Sequence, residues 1–267
     1  MTPDSLLDRL PHLGDRIDRA RSIFLGLDFD GTLAPICSRP EDVVLPDAVR
    51  EALRRLAGRP NVTVMIVSGR GLTDLIARVG LPELLYAGNH GMEILGPGIQ
   101  FLEPTACSLA EPLREHTSSL RDRLRGIPGA LVEPKGLTTT VHDRNVAPEL
   151  RAHVEQIVRE VVGGDPDRFV ATPGRRVWEI RPRVAWHKGR AIEWVLHRLD
   201  TPAPRLEFYI GDDRTDEDAF ASLPDGVTVK VGETRETLAR YTIADPEGVG
   251  RFLGWLVERL SGPTRRP

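Results

Sequence analysis

A chain of 267 residues holds one large domain or two small ones, with ample core to fold alone. Hydrophobic residues make up 40% and charged residues 28%, an ordinary globular balance, and no stretch approaches the ~20 apolar residues that cross a bilayer. The net charge of −3 leaves no electrostatic footprint for nucleic acid or an anionic membrane. Two cysteines, Cys37 and Cys107, are too few for a disulfide framework, and residues 1–18 mix acids with bases unlike a signal peptide, so a cytoplasmic protein is expected.

An apolar run from Ile23 ends in Asp28-Phe29-Asp30-Gly31-Thr32-Leu33, which reads as a buried parallel strand delivering two carboxylates at its C-terminal end. Gly31 lets the chain turn away at once, because glycine adopts backbone angles that residues with a Cβ avoid. Open α/β sheets bind ligands at that edge, and two aspartates flanking one residue suit a divalent cation and a phosphoryl group. The plain alternative is an Asp-Gly hairpin turn. Signals at Asp47 and Gly58 bracket a helix with apolar spacing through Val49, Leu53 and Leu56. Residues 62–67 form an apolar strand ending in Ser68-Gly69-Arg70. A helix through Leu72, Leu75, Ile76 and Val79 follows, then a short strand over 84–88. This β-α-β-α-β order predicts a doubly wound parallel sheet, an α/β fold.

From about residue 103 to 182 the rhythm changes. Helices are expected over 109–124 and 149–162, and strands over 130–133, 137–142, 168–172 and 176–181, punctuated by glycines and prolines. Such a block inside an α/β domain predicts an inserted α+β module with an antiparallel sheet and two helices. The expected division is a core of 1–104 and 184–267 and an insert of 105–183. The core resumes with a helix over 187–199, strands over 206–210 and 227–231, and a helix over 246–260. Its strand over 206–210 runs into Gly211-Asp212-Asp213-Arg214-Thr215-Asp216-Glu217-Asp218, a second acidic cluster at the same sheet edge.

Several of these side chains admit two readings. Ser68 either caps the following helix or, with nearby backbone N–H groups, faces phosphate oxygens. Lys188, in Trp186-His187-Lys188-Gly189-Arg190, would alone be a surface lysine or, beside a phosphoryl group, a point charge. The segment from Gly211 admits a strand-end turn and a helix N-cap with acids in the first turn, a reading that Asp216 to Asp218 fit well; it fits Asp212 poorly, because a second carboxylate cluster at the same sheet edge needs a cation.

Taken in order, the motifs resemble the haloacid-dehalogenase-like (HAD) phosphotransferases. The resemblance implies a Rossmann-like core with an inserted cap of the C2 type. It implies that Asp28 is the nucleophile forming an aspartyl-phosphate and that Asp30 is the acid and base, with Lys188 completing the catalytic set. Mg²⁺ would be held by Asp28, the main-chain carbonyl of Asp30 and Asp212, with Asp213 and Asp216 orienting metal-bound waters. Ser68, Gly69 and Lys188 would bind the phosphate.

Further segments resemble one family within that group, the trehalose-6-phosphate phosphatases. They are Leu33-Ala34-Pro35-Ile36, the stretch from Tyr86 through Asn89-His90-Gly91 to Ile94, Glu133-Pro134-Lys135-Gly136-Leu137-Thr138, Val141-His142-Asp143-Arg144-Asn145-Val146, Trp178-Glu179-Ile180-Arg181-Pro182, and the acidic segment from Gly211 to Phe220. The resemblance implies a mobile cap that recognises the sugar. The residues carried over to substrate binding are Arg70, Asn89, His90, Gly91, Glu133, Lys135, Arg144, Arg175 and Glu179. Three positions depart from the family pattern: His187 stands where Asp is frequent, Asn89 where Ser is common, and Arg175 where Lys is common. The expected partner is a small sugar phosphate, trehalose 6-phosphate, with no nucleic-acid or membrane partner, and the expected state is a monomer. The general motifs alone leave open a sucrose-phosphate or mannosyl- or glucosyl-phosphoglycerate phosphatase or a hexose-phosphate mutase; an inactive regulatory domain would be signalled by loss of Asp28, Asp30, Lys188 or Asp212, and none is lost.

Overall fold

The strands of the computed structural model are, in chain order, β1 (Asp4–Ser5), β2 (Ser22–Leu27), β3 (Val62–Val67), β4 (Leu85–Gly88), β5 (Glu93–Gly96), β6 (Ile99–Leu102), β7 (Leu131–Pro134), β8 (Thr139–His142), β9 (Phe169–Gly174), β10 (Val177–Pro182), β11 (Arg205–Gly211), β12 (Val227–Val231) and β13 (Tyr241–Ile243). The helices are α1 (Leu10–Arg19), α2 (Asp47–Ala57), α3 (Leu72–Val79), α4 (Pro104–Ser108), α5 (Ala110–Leu124), α6 (Arg151–Gly163), α7 (Lys188–Leu196), α8 (Glu217–Ser222) and α9 (Pro246–Ser261). The structure describes residues 3–174, 176–233 and 236–262. They fall into two units. One comprises the chain up to Gly69, Thr73–Phe101 and the chain from His187; the other comprises Arg70–Leu72 and Leu102–Trp186.

The first unit carries a nine-stranded sheet in the order β1-β13-β12-β11-β2-β3-β4-β5-β6. The strands from β1 to β4 along that order run parallel, and β5 is antiparallel to β4. β2 is buried at every position, as a strand covered on both faces must be, and its residues Phe24, Leu25 and Leu27 are fully enclosed. The doubly wound parallel core is therefore present, with additions. β1 and β13 extend one edge and are too short, at 2 and 3 residues, to show a period of their own. The β5–β6 hairpin extends the other edge around Gly96-Pro97-Gly98. Among the described residues, no helix is long and apolar enough to cross a membrane.

The second unit has a four-stranded antiparallel sheet in the order β7-β8-β10-β9. One face buries Val141, Trp178 and Ile180 against Leu113, Leu120 and Leu124 of α5 and Val154, Ile157 and Val158 of α6. This is the inserted α+β module, with element boundaries within two or three residues of those read from periodicity.

α9 closes one face of the parallel sheet through Phe252, whose ring lies 5.9 Å from that of Phe208 on β11; both are fully buried. Phe252→Ala is expected to cost about 3–5 kcal/mol, read as a lowered urea midpoint. A loss below about 1 kcal/mol would show that this pair does not anchor the helix.

Candidate active site

Parallel strands end at one edge, so the residues that follow them are brought together whatever their separation in the chain. Register pairs Leu27 with Ile210 on one side and with Ile66 on the other. The next residues, Asp28, Ser68 and the Gly211-Asp212 turn, therefore share one edge, and Asp28 N–H donates to the Ile210 carbonyl at 2.9 Å. The chain then folds back tightly: Leu33 and Ala34 N–H both donate to Phe29 O at 3.0 Å, and Gly31 N–H donates to Ala34 O at 2.7 Å. Gly31 has φ +83°, and a Cβ there would lie 2.2 Å from a carboxylate oxygen of Asp212. Only glycine lets this loop approach the second acidic cluster.

Lys188, the first residue of α7, is buried and bridges two carboxylates. Its Nζ donates at 2.7 Å to Asp28 Oδ1 and at 2.7 Å to Asp216 Oδ1. Asp216 is fully enclosed; Oδ1 also accepts from Tyr209 OH at 2.7 Å, and Oδ2 accepts from Asp213 N–H at 2.8 Å. The 3₁₀ turn of Arg214–Asp216 makes this possible by returning the chain beneath the strand end. Asp213 has a different duty. Its side chain accepts from Arg214 N–H at 2.6 Å and completes a capping box with Asp216. Glu217 accepts from Thr237 Oγ1 and Leu238 N–H, holding a neighbouring loop.

Asp28, Asp212 and Asp216 each offer a carboxylate oxygen within 4.8 Å of the others. Burial pushes the Asp28 carboxyl up; Lys188 opposes this, and Asp216 and Asp212 add to it. Asp212 is pushed up to about 6, by burial first and then by Asp216. Burial pulls Lys188 down, but Asp216 and Asp28 outweigh it and leave the ammonium strongly favoured. The three carboxylates thus exceed the positive charge that Lys188 supplies. An all-oxygen, negatively charged donor set fits a hard divalent cation such as Mg²⁺. The Asp30 side chain is not in this group of three; Asp30 is half-buried in the loop, in a bridge with Ala34.

Ser68 is buried, and its carbonyl accepts from His90 N–H at 2.9 Å. Asn89, His90 and Gly91 are consecutive left-handed residues, with φ of +48°, +57° and +93°. This strained turn is fastened by Asn89 Nδ2 donating to Glu93 Oε2 at 2.6 Å. It lays the His90 ring on Gly69, where a Cβ would come within 2.8 Å of the imidazole. Ser68, Asn89, His90 and Gly91, all buried, thus cluster with the half-buried Gly69 at the ends of β3 and β4.

In the second unit, Glu133 on β7 and Glu179 on β10 both register with Thr140 on β8 and share one face of the sheet. Lys135 follows β7, where its N–H donates to Thr138 O at 2.8 Å, and Arg144 follows β8. Arg70 is buried. Arg175 lies outside the described residues. Periodicity missed two participants in the first unit. Tyr209 reads as a core aromatic of β11. Lys230, buried on β12, donates to the main-chain carbonyls of Asp212 at 2.5 Å and Asp213 at 3.1 Å. A lysine inside the apolar run Val227–Val231 is the signal that was available.

A haloacid dehalogenase-like hydrolase from Bacteroides thetaiotaomicron superposes with a TM-score of 0.60 at 15% identity, over 88% of this chain and 99% of that one. A structure described as a trehalose-6-phosphate phosphatase related protein superposes with a TM-score of 0.77 at 25% identity, over 88% of this chain and 97% of that one. The class is accordingly the haloacid-dehalogenase-like fold, a Rossmann-like core with an inserted cap. The trehalose-phosphatase family matches residues 26–246, and the trehalose-phosphate phosphatase of Mycobacterium marinum is 38% identical over 242 residues, 88% of this chain. The chain belongs to the trehalose-phosphatase family, and it spans 61% of the length of that relative.

Removing the Asp216 carboxylate would take the acceptor from Tyr209 OH and Asp213 N–H and leave Lys188 with Asp28 alone. Asp216→Ala is expected to destabilise the fold by about 3–5 kcal/mol in chemical denaturation. A change below about 1 kcal/mol would mean that the Lys188 bridge is not a structural element of the site.

Proposed function

We propose that this chain is a phosphatase that hydrolyses trehalose 6-phosphate to trehalose and inorganic phosphate. The observation that carries the chemistry is Asp28, a buried carboxylate fixed by Lys188 at the sheet edge beside Asp212 and Asp216. Family membership and the M. marinum relative's name support the substrate.

In this reading the Asp28 carboxylate attacks phosphorus, and the phosphorus–sugar oxygen bond breaks as Asp30 donates a proton to the departing oxygen. Water then attacks the aspartyl-phosphate while Asp30 takes its proton, releasing phosphate and restoring Asp28. Lys188 offsets the phosphoryl charge, and Ser68 and Gly69 cradle the phosphate oxygens. Mg²⁺ would be held by Asp28, the Asp30 main-chain carbonyl and Asp212, with Asp216 and the Asp213 turn supporting them. When bound, it supplies the positive charge the three carboxylates lack and keeps Asp28 ionised for attack. Lys230 positions the Asp212–Asp213 turn through its two carbonyl contacts.

The insert, residues 105–183, carries sugar recognition through Glu133, Lys135, Arg144 and Glu179, with Arg70, Asn89, His90, Gly91 and Arg175 completing the contacts. Carboxylates accept from neighbouring sugar hydroxyls, and Lys and Arg donate to them. The two free cysteines and the phosphorylated substrate fit action in the cytoplasm.

Purified protein is expected to release phosphate from trehalose 6-phosphate in preference to sucrose 6-phosphate, glucose 6-phosphate and the glycosyl-phosphoglycerates, and to lose activity in excess chelator. Asp28→Asn should lower turnover by roughly three orders of magnitude or more with the fold intact by circular dichroism. Undiminished phosphate release by Asp28→Asn would sink the mechanism, whereas a preference for another sugar phosphate would sink the substrate alone.

Specificity has its own test. Arg144→Ala and Glu179→Ala should lower kcat/KM for trehalose 6-phosphate at least about tenfold more than for a small aryl phosphate, because a polar site built for hydroxyls misses each lost hydrogen bond. Equal losses on both substrates would assign these residues to folding or to general catalysis.

A further inference from the structure

The sheet of the second unit has one apolar face and one polar face. Alternation along each strand sends Val141, Trp178 and Ile180 into the core with α5 and α6, and sends Thr140, His142 and Glu179 to the opposite face. Glu133 pairs with Thr140, and Leu131 pairs with His142, so Glu133 and His142 are diagonal cross-strand neighbours on that polar face. The contact is made: His142 Nε2 lies 2.8 Å from Glu133 Oε2. Both side chains are partly shielded, at 17% and 28% exposure, so the bond is neither freely solvated nor sealed.

A carboxylate has no proton to give, so the bond requires Nε2–H, which makes His142 the donor. Burial raises the Glu133 carboxyl, but the His142 bond and then the Lys135 charge outweigh it and leave the acid below its ordinary range. Glu133 is therefore ionised and acceptor-only. With Oε2 tied to the imidazole, rotation of the carboxylate is restricted and Oε1 has a defined direction. Thr140 lies between Glu133 and Glu179 in the same cross-strand row, and its hydroxyl is buried with no hydrogen-bond partner among the described residues. A row of two carboxylates and an unsatisfied hydroxyl is chemistry for a polyol.

We propose that His142 is a positioning residue for sugar recognition: it donates from Nε2 to Glu133 and fixes that carboxylate for the hydroxyls of the bound disaccharide. This rests on the trehalose 6-phosphate reading above. A purely structural alternative has the same bond doing no more than stapling β7 to β8.

The full chain with trehalose 6-phosphate separates the two. His142→Ala is expected to raise KM about tenfold, the scale of one lost bond to a charged group, with kcat changed by less than about twofold. His142→Gln places an amide N–H at similar reach and should recover most of that KM. In a Glu133→Ala background, His142→Ala should add nothing further. Three results would each overturn the proposal: kcat falling with KM, Gln doing no better than Ala while its thermal midpoint matches wild type, or the two substitutions multiplying independently. If Glu133→Ala leaves the KM for trehalose 6-phosphate unchanged, the assignment of Glu133 to the sugar fails and the proposal fails with it. A wild-type protein inactive on trehalose 6-phosphate but active on another sugar phosphate would instead locate the failure in the substrate reading.

Discussion

Burial of the Lys188 ammonium between the carboxylates of Asp28 and Asp216 is the constraint around which the parallel-sheet unit is arranged. Taking three charges out of water costs several kcal/mol per ion, and it is tolerable only where geometry and further hydrogen bonds compensate. Both Lys188 contacts are 2.7 Å, and Tyr209 OH and the Asp213 N–H add two further hydrogen bonds to Asp216. Each compensating group has a fixed origin: β2 delivers Asp28, β11 delivers Tyr209, and α7 starts at Lys188. The site and the fold therefore constrain one another. The strand order that packs the core is also the order that makes this ion network possible.

The network still leaves an electrostatic deficit on the side facing Asp212. Its carboxyl and that of Asp28 are displaced toward the neutral acid, chiefly by burial, although Lys188 lies close by. A site destabilised in this way is poised for a positively charged ligand and for the group that ligand attracts. Gly31 and Lys230 act on the same feature from opposite sides. Gly31 admits the loop against the Asp212 carboxylate, and Lys230 grips the main chain behind it.

Much of this was legible in the sequence, for a specific reason. A carboxylate pair after an apolar strand, a hydroxyl after the next, and acids after a later one all project to the same edge once the sheet is parallel, so spacing along the chain becomes irrelevant. The insert was legible because helix and strand periods alternate within it, punctuated by glycine and proline. The division of labour within Asp212-Asp213-Arg214-Thr215-Asp216 was not. Asp212 stands apart as a cation ligand on paper, but Asp213 and Asp216 satisfy a cap and a cation site alike, and only the short 3₁₀ turn decides that Asp213 caps while Asp216 enters the core. Tyr209 was hidden because a buried strand tolerates an aromatic without comment. Lys230 was visible in principle, since an amine within Val-Thr-Val-Lys-Val is costly unless something accepts its protons. β1 and β13 fall below the length at which any period can be recognised, and the left-handed Asn89-His90-Gly91 turn has no side-chain signature beyond its glycine.

The sheet order also governs when the protein becomes complete as it is made. β2 lies near the start of the chain, yet its neighbour β11 begins at Arg205, and the two-residue β1 waits for β13 at Tyr241. During synthesis the first three βα units therefore emerge with one flank of β2 unpaired, and the whole antiparallel sheet with its two helices, whose contacts are local, is made before β11 arrives. The nascent core must hold an open, apolar strand edge until more than half of the chain has followed. Pairing with β11 is what finally covers that edge of β2, the strand that presents the Asp28 carboxylate.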